Sequence, residues 1–331
     1  MTGIVGSYLA GMRVGEGREF SGMTLFPVFR EGRSPLRYRV LSECLADGSV
    51  EVTERPSATV PMLWLVNRSD EMVLVMDGEE IVGGKQNRMV NASFLIAAKS
   101  EVELPVTCVE HGRWHDVSAN FLAGEAAPAF LRRAKDEQVK ANLRTAQRPM
   151  ADQGAVWDAI ALKHRAEGTH SRTGALHDIY EQKAKSLAGY ERAFPVEQGA
   201  VGFAVALDGG MVGADLFDQP EAAAKLWAKV VRSYAMDARG IEDKLVARDR
   251  AEKLLKRIVD ARVETFPSIG VGQDLRLEGD GANATALVFE GIVVHLGVFR
   301  IHGKRAGVDY TGMARASMRR RMQRSGGGSV Y

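Results

Sequence analysis

Chemistry-bearing side chains crowd into one stretch of this chain, residues 71–116, and two clusters stand out there. The first is Gly83-Gly84-Lys85-Gln86-Asn87-Arg88, in which two glycines precede two cations and two amides. Glycine lets backbone approach a ligand closely, and lysine and arginine donate charge-assisted hydrogen bonds to phosphate or carboxylate. The second gathers Cys108, Glu110, His111, Arg113, Trp114 and His115. An ion pair of Glu110 with Arg113 beside the Trp114 plane would suit stacking of a nucleotide base, and would equally suit a packing corner. Lys85, Gln86, Asn87, Arg88, Glu110, Arg113 and Trp114 are therefore the candidate ligand-binding residues, and Lys85, Asn87, Arg88 and Arg113 are expected to line one anion-accepting cleft. The first cluster is not a nucleotide-hydrolase phosphate loop, because no Ser or Thr follows the lysine and no helix opens behind it.

Other groups carry weaker signals. Asp77, Glu79 and Glu80, with Asp208 and Asp215, are hard oxygen ligands that would suit a divalent cation such as Mg²⁺, although their spacing is also that of solvated turn acids. Cys108 ends an apolar run and reads as a buried, inert thiol rather than a nucleophile. His111 and His115 have the four-residue spacing of a zinc pair without the helix that would align them. His170, Ser171, Arg172 and Thr173 precede a helix start, where capping competes with anion binding. His295 lies within an apolar strand and reads as a satisfied histidine. No residue is assigned a catalytic role.

The strings DGEEIVGGKQNRMVNASFL and CVEHGRW resemble a bacterial family, the ARG and rhodanese-phosphatase-superfamily-associated protein domain, in which ARG denotes ADP-ribosylglycohydrolase. The likeness extends from about Ser21 to His302. It implies an accessory place in NAD or ADP-ribose metabolism and an ADP-ribosylglycohydrolase-type partner enzyme. It identifies no reaction and transfers no catalytic residue. Three functions follow as expectations: processing of a nucleotide or phosphoester, binding of such a ligand by a non-catalytic regulatory module, and a nucleic-acid-linked role through a basic tail.

Composition bounds these readings. Lys plus Arg number 44 against 42 Asp plus Glu, so no global field draws the chain to nucleic acid or to a membrane. Two cysteines make a disulfide scaffold implausible and fit a reducing cytoplasm. No apolar run has membrane-spanning length.

The elements that must position the clusters follow from periodicity. Strands are expected at 23–29, 36–45, 50–54, 59–67, 73–76, 94–97 and 104–109, with hairpin turns at Asp47-Gly48 and Asp77-Gly78. Helices are expected from Pro128 to Pro149, around Val156 to Ala161, from Leu176 to Leu187, after an Asp218/Glu221 capping box, and over 241–260. Strands return at 200–207, 211–216, 262–266, 284–289 and 292–300. The step VLVMDG at 73–78 faintly echoes AVALDG at 204–209. The fold class is α+β: an antiparallel, sandwich-like N-terminal half, a helical insertion, and a C-terminal α/β portion packing with it. The boundaries are an arm at 1–20, the β-rich part at 21–126, the insertion at 127–195, the α/β part at 196–312 and a tail at 313–331. That tail, with Arg315, Arg319, Arg320, Arg321 and Arg324 and no acid, is expected to be mobile and separable.

Overall fold

Apolar alternation and turn glycines produce the expected α+β architecture in a computed structural model that describes residues 2–54, 61–115, 117–146, 148–240 and 246–301. The basic tail and its arginines lie outside the described residues, as do the start of the strand expected from Thr59 and that of the helix expected from Ile241. Within the stretch read as an arm, the chain forms α1 (Thr2–Ala10), β1 (Met12–Val14) and β2 (Arg18–Phe20). Val5, Tyr8 and Leu9 of α1 are buried.

Twelve strands precede the helical region. After β3 (Met23–Arg30) and β4 (Tyr38–Val40) comes a correction: residues 41–46, expected as strand, are α2 (Leu41–Ala46). Asp47 is its C-cap and Gly48, at φ +74, follows in the left-handed conformation, so Asp47-Gly48 ends a helix rather than turning a hairpin. Then come β5 (Val50–Thr53), β6 (Met62–Asn67), β7 (Met72–Val75), β8 (Glu79–Val82), β9 (Arg88–Val90), β10 (Phe94–Ile96), β11 (Ser100–Cys108) and β12 (Leu122–Ala126). They form a three-stranded sheet in the order β10-β7-β4 and a six-stranded sheet in the order β12-β8-β9-β11-β6-β5. β4 runs parallel to β7, the exception to antiparallel pairing in this half. Val52, Leu65, Val75, Ile81, Phe94 and Leu104 belong to the core these sheets share.

Asp77-Gly78 is the second corrected turn. β7 pairs with β4 and β10, whereas β8 pairs with β9 and β12, so the step is a corner between sheets. Its echo at Asp208-Gly209 is a true two-residue hairpin, with Leu207 opposite Gly210 and positive φ at both turn residues. The resemblance between the two steps is therefore not one of structure.

Helices α3 (Ala129–Ala146), α4 (Gln153–Glu167) and α5 (Leu176–Ala193) lead to the hairpin β13 (Ala200–Leu207) and β14 (Gly210–Phe217). They are followed by α6 (Pro220–Ala235), α7 (Arg248–Val259), β15 (Arg262–Pro267), β16 (Gln273–Gly279), β17 (Ala282–Phe289) and β18 (Ile292–Arg300). The N-cap of α6 is Gln219 with Pro220 in the first turn, so the expected capping box does not form. Asp218 instead accepts the Tyr38 hydroxyl proton. The nine-stranded sheet runs β1-β3-β13-β14-β18-β17-β16-β15, with β2 also paired to β3. Strands from the first 30 residues and from residues 200–300 thus share one sheet. One face packs α1 and α7 through Val5, Leu254 and Ile258; the opposite face packs α6 through Trp227, Val230 and Tyr234. No described helix is long and apolar enough to cross a membrane.

Candidate functional site

The loop Gly83–Arg88 joins β8 to β9, and β11 delivers Glu110 and Arg113 beside it. Cys108 pairs with Arg88 across the β9–β11 ladder, and Val109 N–H donates to Asn87 O at 3.0 Å. The structure therefore brings the two sequence clusters together. It also satisfies most of their donors internally. Arg113 donates through Nε and Nη2 to Glu110, through Nη1 to Gly84 O, and through Nη2 to Asn87 Oδ1 at 3.0 Å. Asn87 N–H donates to Glu110 Oε2 at 3.1 Å; burial pushes the Glu110 carboxyl up, but its hydrogen bonds, that from Arg113 foremost, hold it below its usual range. Arg88 binds Gln86 and, at 3.2 Å, Glu54.

Gly84 is the junction of this arrangement. Its carbonyl accepts from Arg113 and from Val117 N–H, and its N–H donates to Ser118 Oγ at 3.3 Å. At φ +51 it is also pressed against the Phe121 ring, so a side chain there would collide. Two candidates remain at the surface on either side of the junction: the Lys85 side chain is 52% exposed, and Trp114 is 58% exposed. Gln86 Nε2 and Arg88 Nε are buried without an acceptor.

The neighbouring acids do not converge on a cation. Asp77 pairs with Lys135, Glu79 accepts from Lys229 at 2.7 Å, and Glu80 accepts from His177 Nδ1 at 3.0 Å. Among the described residues no group of three or more His, Cys, Asp or Glu is arranged to hold a metal. Cys108 is buried, and loss of hydration raises its thiol pKa, as expected of an inert sulfur. Ser171 Oγ accepts from Ala175 N–H at 2.9 Å and Thr173 N–H at 3.3 Å, which is local capping.

The Glu80–His177 pair leads to the first prediction. The Glu80 hydrogen bond and charge raise His177 to about 9 from its ordinary 6.5, whereas burial raises Glu80. The histidine is the partly hydrated member of the pair and faces the carboxylate at contact distance. A raised histidine stabilises the fold fully below its unfolded value of 6.5 and loses that contribution as pH rises through about 9. Urea unfolding of wild type and His177→Gln should show a stability gap at about pH 6 that narrows by about pH 10. A gap of constant size would remove the ion pair as its cause.

A third constellation, which the sequence reading did not assemble, lies where the two halves meet. α3 carries Arg132 and Lys135, both fully buried. Arg132 grips Asp215 through two bonds of 2.8 Å, and Tyr234 donates to the same carboxylate at 2.8 Å. This pairing, against the opposing effect of burial, holds Asp215 far below the usual carboxylate range. Lys135 pairs with Asp77 and donates to Asn91 O at 2.7 Å. His295 Nε2 stands 3.2 Å from Asp215 Oδ1, and its Nδ1 stands 2.7 Å from Ser93 Oγ. Asp136 lies 3.5 Å from Lys135 and 3.6 Å from Arg276, and burial raises its carboxyl to about 7. The available signal was an Asp and a His inside otherwise apolar strands, since charges in such places persist only when paired. Arg132 and Lys135 gave little, because on a charged helix they resemble a solvated face.

The family model for the ARG and Rhodanese-Phosphatase-superfamily-associated Protein domain matches residues 11–299, which include every element from β1 through β17. Searches of curated proteins and of solved structures return no match.

Proposed function

The chain belongs to the ARG and rhodanese-phosphatase-superfamily-associated protein family, and from that premise we propose that it is an accessory protein of NAD or ADP-ribose metabolism that holds a nucleotide-like ligand at the Lys85–Trp114 face. The observation that carries this reading is the exposed indole and ammonium mounted on a buried framework. Glu110, Arg113, Asn87 and the two glycines are bonded to one another, so Lys85 and Trp114 leave a preformed junction. An aromatic plane and a cation are what a base and a phosphate require of a surface. Binding without catalysis suits this face, because its acid and its guanidinia are already paired with each other. The donors thought to line an anion cleft then act as the support, with Lys85 as the contact to phosphate. An ADP-ribosylglycohydrolase-type enzyme is the partner to which such a module would deliver or report its ligand.

Calorimetry with ADP-ribose, AMP and ribose 5-phosphate tests the reading. Stacking of a base is worth about 1–3 kcal/mol, so Trp114→Ala should weaken ADP-ribose and AMP by about 5- to 150-fold and ribose 5-phosphate little. Lys85→Ala should weaken all three. Absence of binding to wild type, or equal affinity in wild type and Trp114→Ala, would sink it.

A further inference from the structure

The polar centre between the two halves contains a serine, a histidine and an aspartate in hydrogen-bonded sequence, none of them a residue of the face just described. Ser93 sits in the bend between β9 and β10. Asp215 and His295 sit on the adjacent strands β14 and β18, where Asp215 faces Gly297 and Phe217 faces His295. Gly297 has no side chain to crowd this spot: a Cβ there would lie 3.4 Å from Thr285 Oγ1, 3.7 Å from Asp215 Oδ1 and 3.9 Å from His295 Cε1. The imidazole can therefore lean diagonally across to Asp215 while its ring stacks on Phe217 at 4.8 Å.

Hydrogen bonding places one ring proton, and in the neutral imidazole it places the serine hydrogen as well. Asp215 is held ionised by Arg132, and an ionised carboxylate only accepts. The hydrogen in the 3.2 Å contact must then belong to His295 Nε2. A neutral imidazole so oriented leaves Nδ1 bare, and the Ser93 hydroxyl donates to it at 2.7 Å. Ser93 Oγ in turn accepts from Asp77 N–H at 2.9 Å, which directs the remaining lone pair and the hydroxyl hydrogen. This is the logic of a nucleophile, its base and the group that orients the base, with the two ring nitrogens exchanged relative to the serine-protease arrangement.

Two further observations point to a substrate. Asn91, fully buried, accepts from Thr107 at its side-chain oxygen and from Lys135 at its carbonyl, while its Nδ2 has no acceptor. Asn91 Nδ2 is thus a buried amide donor left without a partner on the segment that carries Ser93, the kind of group a developing oxyanion takes. Ser93 itself is half-buried, whereas His295 is 1% and Asp215 0% exposed.

We infer that Ser93, His295 and Asp215 form a nucleophilic site for acyl transfer to water, acting on an uncharged carboxylic ester. The charge around it selects against phosphoesters: Asp77 and Asp136 lie close by, and Lys135, Arg132 and Arg276 are each paired with an aspartate. Ser93 Oγ bonds to the ester carbonyl carbon as its proton passes to His295 Nδ1. Collapse of the adduct breaks the bond to the alcohol, which leaves with that proton. Water then loses a proton to His295 and bonds to the acyl carbon, and the Ser93 Oγ–carbon bond breaks as Ser93 recovers the proton. Asp215 is a positioning residue throughout.

The test uses the full chain, a fluorophosphonate probe and peptide mass mapping. The expected result is a single adduct on Ser93, absent from Ser93→Ala, whose formation slows in acid, where a protonated imidazole could no longer take the Ser93 proton. His295→Gln should slow labelling by at least ~100-fold. Because that variant removes a buried partner and could fail to fold, the pH profile of the wild type serves as the independent measure of the base. An unlabelled Ser93, labelling confined to other serines, or labelling as fast in acid as in alkali would overturn the inference.

Discussion

Replacing Arg132 by Met is expected to lower the free energy of unfolding by about 3–5 kcal/mol, because it strands a buried carboxylate. Arg132 supplies both 2.8 Å bonds to Asp215, and both residues are fully buried. With the guanidinium gone, Asp215 keeps only Tyr234 and His295 and must either remain charged in an apolar setting or take up a proton. Urea unfolding at neutral pH measures the loss. The double variant Arg132→Met/Asp215→Asn should recover part of it, since the uncompensated charge then disappears. A loss below about 1 kcal/mol in the single variant would mean that the pair is hydrated and that the polar centre is not dry.

Gly78→Ala should cost about 2–4 kcal/mol, more than a turn glycine ordinarily does. Gly78 sits at φ +79, and an added methyl group would overlap the aliphatic stem of Arg132. Backbone strain and displacement of the ion pair therefore act together. Gly48→Ala is the control: it has a similar φ of +74 and nothing within 4 Å of its would-be Cβ. It should cost only the backbone component, about 1 kcal/mol. Equal losses at the two sites would show that the Arg132 stem moves aside freely, and the corner at Asp77-Gly78 would then be no more than a turn.

Where local pattern dictates structure, the sequence was legible. Leu226, Trp227, Val230, Val231 and Tyr234 recur at helical spacing, and all five are buried on α6. Leu254, Leu255 and Ile258 on α7 behave likewise. Short apolar runs bounded by glycine turns predicted most strands, but β16 (Gln273–Gly279) was missed: its QDLRLEG carries three charges, two of which, Asp274 and Arg276, pair with each other in the core. Residues 41–46 were misread because six residues are too few to separate helical from strand periodicity, and a glycine after a helix looks like a glycine in a hairpin.

Within the candidate sites the division is physical. The sequence by itself placed Lys85–Arg88 and Glu110–Trp114 around strand ends, since short apolar runs lie close by; that β9 and β11 are paired neighbours is a tertiary result. Only the tertiary structure decided that Arg113 and Glu110 would turn inward onto Gly84 and Asn87, leaving Lys85 and Trp114 outside. Sequence also placed Asp215 and His295 in apolar strands and Asp77 in the turn after one, where a charge that becomes buried demands a partner. Which partner is set by contacts between residues 58, 83 and 202 positions apart. Local propensity carries no information at such separations. The choice is made when α3 packs between the sheets and the low dielectric there makes each buried charge costly until Arg132, Lys135 and Ser93 come within reach.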